Sequence, residues 1–187
     1  SFGEVMQRVQ AVIAQVAPHD SAERYRGLGV EVLRGTAKLL SPWEVEILGE
    51  DGRPHRLSSR GIVIAAGARP AVPPIPGIET IDYLTSDTVW DLRELPRRLL
   101  VLGGGPIGAE LAQAFARFGA HVTVVEMAPR LLSREDDEVA EMVMSRFRAE
   151  GIAVRVGHRA LRFAVEAGEK VLYAEHQGQE VRLVFDT

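Results

Sequence analysis

The sequence of 187 residues contains no cysteine, which excludes a disulfide scaffold, a thiolate metal site and an internal redox pair. It has no apolar run near the roughly 18 residues of a membrane span, and its amino end lacks the basic-then-apolar order of a signal peptide. There is no basic excess either: 22 Lys and Arg stand against 26 Asp and Glu, for a formal net charge of -4. Arg97-Arg98 is the tightest arginine pair and reads as a solvated turn before a strand, so neither a nucleic acid nor a membrane is expected as partner. The histidines His19, His55, His121, His158 and His176 show no metal-ligand spacing. No serine lies in a nucleophile elbow, which leaves hydrolase chemistry without a nucleophile. A cytoplasmic protein is the default expectation.

What is present suits a globular chain of one ordinary domain or two small ones. Phe2, Val5, Met6, Val9, Val12, Ile13 and Val16 recur at three and four, which predicts an amphipathic helix ended by Pro18. Asp20 or Ser21 is placed to cap a shorter helix through Tyr25. Val30 to Leu33 and Glu44 to Leu48 read as strands, with Asp51-Gly52 closing a hairpin. Ile62-Val63-Ile64-Ala65-Ala66-Gly67 reads as a parallel strand buried on both faces. The prolines of Pro70 to Gly77 mark a crossing between domains. Thr85 to Leu95 then predicts a short helix capped by Ser86 or Asp87 and stopped by Pro96.

From Leu99 to Val156 the pattern alternates strand, helix, strand, helix, strand: Leu99 to Leu102, Ile107 to Phe118, Val122 to Val125, Asp136 to Glu150 and Ile152 to Val156. Leu161 to Phe185 follows as three antiparallel strands turned at Ala167-Gly168 and Gln177-Gly178. The expected fold class is therefore α/β: a Rossmann-like parallel sheet with helices on both faces, an antiparallel β-meander, and a preceding segment of mixed helix and strand. The acids Glu135 to Glu138 fall in a first helical turn, where they complement the helix dipole rather than hold a metal.

Gly103-Gly104-Gly105-Pro106-Ile107-Gly108 directly follows the first of these strands and opens a helix, the context in which a glycine fingerprint binds a dinucleotide. Gly103 permits the turn, Gly105 clears the approach of a pyrophosphate, and Gly108 lets the helix lie close to the strand. Ile107, Leu111, Phe115 and Phe118 are expected on the helix's inward face, with Ala109, Ala112 and Ala116 keeping it near the sheet. Amides and dipole at the helix start then hold phosphate charge. Glu126 ends the next strand eighteen positions past Gly108, close to the spacing of about 20 at which an acid accepts the adenosine ribose hydroxyls. Met127 beside it joins the expected cofactor contacts. A 2′-phosphate at about 4 Å from that carboxylate would be repelled by roughly 1 to 4 kcal/mol per charge pair. NAD is expected over NADP, with Arg130 and Arg134 read as solvated loop charges.

The series Ile62 to Pro70, Pro74-Ile75-Pro76-Gly77, Thr85-Ser86-Asp87, Leu95-Pro96 and Gly103 to Ala112 resembles the pyridine nucleotide-disulfide oxidoreductases over nearly the whole chain. Within that family the chain looks similar to the dihydrolipoyl dehydrogenase and mercuric reductase branch, with Glu110 to Arg117 and Arg134-Glu135-Asp136 pointing to the latter. The resemblance implies a homodimeric flavoprotein in which NAD(P)H passes hydride to FAD and onward to a disulfide or another acceptor. It implies that Ala66, Gly67 and Ala68 lie against FAD, that Glu110 sits near nicotinamide and flavin, and that Ala160 touches adenine. It further implies that residues 1–77 are part of an FAD-binding domain and residues 78–187 an NAD(P)-binding domain ending before its last strand. Such a piece alone is expected to be inactive and not to hold FAD. Three positions depart from the family pattern: Ala66 replaces a threonine, Pro106 replaces an aromatic gate, and Glu126 stands where NADPH users carry a basic residue. A non-catalytic NAD-binding or redox-sensing module is the alternative reading. A self-sufficient dehydrogenase lacks a candidate general acid.

Overall fold

The computed structural model describes residues 1–187. It resolves into two compact units, one formed by residues 1–9 with 70–187 and the other by residues 10–69.

In the larger unit, three strands form a parallel sheet in the order β4-β5-β6: β4 (Arg98–Leu102), β5 (His121–Val125) and β6 (Ala153–Arg155). Helix α3 (Pro106–Arg117) joins the first pair and α4 (Asp137–Ala149) the second. β5 is the central strand, and Val124 and Val125 point to opposite sides of it with no exposure. Burial on both faces explains why this strand is a β-branched run rather than an alternating one. One core joins Leu99, Val122 and Val124 with Ala109, Ala112, Phe115, Met144 and Phe147 of the helices. The start of α1 (Phe2–Val16) adds Phe2, whose ring lies 5.7 Å from both Phe115 and Phe118, and buries Met6.

The face of α3 that meets the sheet matches expectation at Ala109, Ala112 and Phe115 and departs from it at Ile107 and Phe118. Ala109, Ala112 and Phe115 are buried, whereas Ile107 is 61% exposed and Phe118 is 44% exposed. The alanines allow the closest approach of helix and sheet. Their stripe therefore sets the inward direction, and Ile107 is left at the open mouth.

The antiparallel meander follows as β7 (Arg159–Glu166), β8 (Glu169–His176) and β9 (Gln179–Phe185). Its turns fall at Ala167-Gly168 and Gln177-Gly178, where all four residues adopt positive φ, as two-residue hairpins of this twist require. A second core, Ile81, Val125, Phe163, Leu172 and Phe185, lies between meander and parallel sheet. The chain from the proline segment docks here, with Phe163 N–H donating to Pro76 O at 2.8 Å. Gly77 has φ +83°, and any side chain on it would strike the Phe163 carbonyl. After β9, Thr187 bonds to both Arg98 and Leu100, alongside β4. Asp186 receives the Arg98 guanidinium at 2.6 Å and the Arg98 N–H at 2.9 Å. Those hydrogen bonds hold the Asp186 carboxyl below its usual range.

The smaller unit contains the later part of α1, a 3-10 turn Ala17–Asp20, α2 (Ala22–Gly27), and an antiparallel sheet of β1 (Gly35–Leu39), β2 (Glu44–Gly49) and β3 (Pro54–Ser58). Ser21 caps α2 by accepting the Arg24 N–H at 3.2 Å. Asp51 and Gly52 lie in the β2–β3 hairpin turn. Val30 to Leu33 is not a strand; pairing begins at Gly35, whose carbon approaches Leu48 too closely for a side chain.

Two further expectations are overturned. Ile62 to Gly67 forms no strand, and Val63 and Ile64 are 90% and 72% exposed. A strand exists only through its partner's hydrogen bonds, and no strand of this chain pairs with the segment. Thr85 to Leu95 holds only a 3-10 turn at Val89–Asp91, with no side-chain cap. There the Thr88 hydroxyl accepts the Thr85 N–H at 2.9 Å and the Thr85 hydroxyl accepts the Asp87 N–H at 3.2 Å, local bonds that compete with a helical ladder.

A candidate dinucleotide site at the start of α3

β4 ends at Leu102, and Gly103 continues its ladder by donating to Val125 O at 2.9 Å. The chain then turns through φ +106° at Gly103, a conformation that excludes most side chains. Gly105 is the N-cap of α3, Pro106 opens the helix, and no side chain caps it. Pro106 has no N–H to leave unpaired, and its ring fixes the φ that a first helical residue needs. The first turn contains no acid. No acid of the helix itself therefore competes for its first amides or for the positive end of its dipole.

The glycines divide by what surrounds them. A methyl on Gly103 or Gly105 would meet nothing within 4 Å, so these positions keep main chain bare toward open space. A methyl on Gly108 would collide with the Gly103 carbonyl and crowd Val101 at 3.3 Å, so this one is required for packing. Gly104 is buried, and a methyl there would collide with Leu131 and lie 3.2 Å from Cβ and Cγ of Glu126. Sequence reasoning assigned Gly104 no packing demand; its only signal was an unbroken run of three glycines.

The Glu126 carboxylate turns toward this loop. Oε2 accepts the Gly104 N–H at 2.6 Å and Oε1 accepts the Ala128 N–H at 2.7 Å. A carboxylate offers about four acceptor directions, so each oxygen retains capacity for a hydroxyl donor. Leu132, itself at φ +49°, donates its N–H to Gly104 O at 2.8 Å. The loop after β5 thus grips Gly104 through its N–H, its C=O and its α-carbon. Main-chain bonds from Glu126 N–H to Arg155 O, His158 N–H to Glu126 O and Gly157 N–H to Ala128 O, all at 2.8 to 2.9 Å, hold the same strand end from the β6 side.

The remaining candidates lie around that mouth or apart from it. Met127 is 69% exposed beside Glu126, and Ile107 is exposed at the helix start. Glu110 is exposed on the first turns of α3, while Ala160 is half-buried in β7 against the second core. Ala66, Gly67 and Ala68 are exposed in the smaller unit, with Gly67 at φ +67°. Arg130 is less free than expected: it pairs with Asp137 and donates to Ser133 O at 3.0 Å. Arg134 remains exposed. Asp137 and Glu138 occupy the first turn of α4. His158 is buried and bonded to Val156 O at 2.7 Å, with its ring stacked on His176 at 4.0 Å. That stack had no signal in the sequence.

The sequence model for pyridine nucleotide-disulphide oxidoreductases matches residues 6–186. The chain belongs to that family. Among relatives, a mercuric reductase of Streptomyces lividans is 39% identical over 155 residues, covering 81% of this chain and 32% of the relative. A dihydrolipoyl dehydrogenase of Chlorobaculum parvum is 41% identical over 130 residues, covering 68% of this chain and 27% of the relative. The HOCl-induced flavoprotein disulfide reductase RclA from Escherichia coli superposes with a TM-score of 0.79 at 28% identity, covering all of this chain and 41% of that one. The chain thus spans about a third of the length of the curated relatives it matches. The family is FAD-dependent and uses NAD(P)H, and its full-length members are usually dimers. No helix here is long and apolar enough to cross a membrane.

Proposed function

We propose that this chain supplies the nicotinamide-nucleotide site of an FAD-dependent oxidoreductase, with NADH preferred. On this reading residues 78–187 form the NAD(H)-binding part, and residues 1–77 belong to the FAD-binding part. The N–H groups of Gly105, Ile107 and Gly108 hold the pyrophosphate, Glu126 accepts the adenosine ribose hydroxyls, and the exposed apolar groups of Ile107 and Met127 offer cover to the bases. Ala160 is assigned to adenine, Glu110 to the nicotinamide end, and Ala66, Gly67 and Ala68 to FAD. FAD, when bound there, would supply the hydride acceptor that links NADH to a disulfide or another acceptor. A homodimer in the cytoplasm, with access to NADH, completes the reading.

The observation that carries it is the meeting of acid and helix start in one mouth, through the 2.6 Å bond between Glu126 and the Gly104 N–H. Bare glycine main chain on the open side leaves room for a diphosphate, and a fixed carboxylate at the ribose position disfavours a 2′-phosphate. The support for NADH is the Glu126 carboxylate, which stays fixed beside the loop by its bonds to Gly104 and Ala128 N–H. Fluorescence titration is expected to give tighter binding of NADH than of NADPH. The reverse order would overturn the assignment of specificity, and binding of neither would overturn the site.

A further inference from the structure

We infer that Glu126 acts on both halves of the dinucleotide, as a ribose acceptor and as the group that holds the glycine loop in its phosphate-binding shape. This rests on the reading of the site given above. The usual role for such an acid concerns the sugar alone. Here the carboxylate already accepts the N–H of Gly104, the residue between the two glycines that are open to ligand.

Gly104 has no freedom to move independently. Its N–H is bound by Glu126, its carbonyl by Leu132, and its α-carbon lies against Leu131, which has no exposure. The other carboxylate oxygen is pinned by the Ala128 N–H at 2.7 Å, so the acid is anchored to the main chain at both ends. A carboxylate held this way presents acceptors to a ribose and fixes the peptides on either side of Gly104 for a phosphate. Replacement of one oxygen by an amide NH2 removes an acceptor, because an NH2 cannot receive an N–H. Glu126→Gln therefore breaks one anchor whichever way the amide is turned.

The test separates this role from a simple ribose contact by using reduced nicotinamide mononucleotide, which has a phosphate but no adenosine ribose. Glu126→Gln is expected to weaken its binding about fivefold to tenfold, the size of the net contribution of one ordinary hydrogen bond. Hydrogen exchange should rise in peptides spanning residues 103–108 and 128–132 and stay unchanged in the β7–β9 meander. If the variant loses affinity for NADH but binds the mononucleotide as the parent does, with loop exchange unaltered, the second role is refuted. Exchange raised throughout the chain would assign the residue to general stability and refute it equally. If the parent protein binds neither nucleotide, the function proposed above fails, whereas the exchange comparison still decides whether Glu126 holds the loop.

Discussion

At the scale of single residues, the glycines of one motif serve different physical ends, and substitution separates them. Gly108→Ala places a methyl against a main-chain oxygen that cannot step aside, and overpacking of this kind costs about 1 to 3 kcal/mol. Gly105→Ala meets open space, and loss of a glycine N-cap changes stability by only about 1 kcal/mol. Thermal denaturation is expected to show a clear fall for Gly108→Ala and a small one for Gly105→Ala. NADH titration should show weakened binding for both, since the second methyl projects where the pyrophosphate is proposed to lie. Unchanged nucleotide affinity in Gly105→Ala would remove the phosphate from that position. The three-glycine run marked the turn in advance, but the burial of Gly104 beneath Leu131 depends on a residue 27 positions away, whose approach no local pattern encodes.

At the scale of elements, α3 and α4 are joined at their carboxyl ends by Glu150. Its carboxylate accepts from Arg117 at 2.8 Å, Arg146 at 2.6 Å and Gln113 at 3.1 Å. The Arg117 hydrogen bond, with help from Arg146 and Gln113, lowers the Glu150 pKa from 4.5 to about 2. A depressed carboxyl contributes stability that is complete above its unfolded value and is lost as pH falls through its folded one. The contribution of Glu150 should therefore be present in full above about pH 4.5 and decline toward pH 2. Denaturant melts of the parent and Glu150→Gln should differ at neutral pH and converge through that window; a constant difference down to pH 2 would refute the ion-pair account. Helix periodicity located both helices to within two residues. It placed Phe115, Ala109 and Ala112 against the sheet as found, but not Ile107 and Phe118, which lie at the two ends of α3 and stay exposed.

At the scale of the whole molecule, the two compact units differ in how much of themselves they cover. The larger has two cores, while every residue of β1 and β3 is exposed in the smaller. Since the assigned FAD contacts lie in an exposed segment without a strand partner, the purified chain of 187 residues is expected to bind NADH yet carry no flavin absorbance. A stoichiometric flavin spectrum would show that this chain suffices to retain FAD. A colourless protein over the whole open reading frame would instead favour a nucleotide-sensing role.

Sequence alone determined the alternation from Arg98 to Arg155, the two meander turns and the position of the glycine-rich helix start. Each depends on periodicity, β-branching or backbone permissiveness within a few neighbouring residues. Only the tertiary structure decided that Ile62 to Gly67 stays unpaired, that Ile107 and Phe118 of α3 stay exposed, and that the Glu126 carboxylate grips Gly104. Those outcomes depend on which distant backbone groups come within hydrogen-bonding or packing reach, and that is a property of the folded chain.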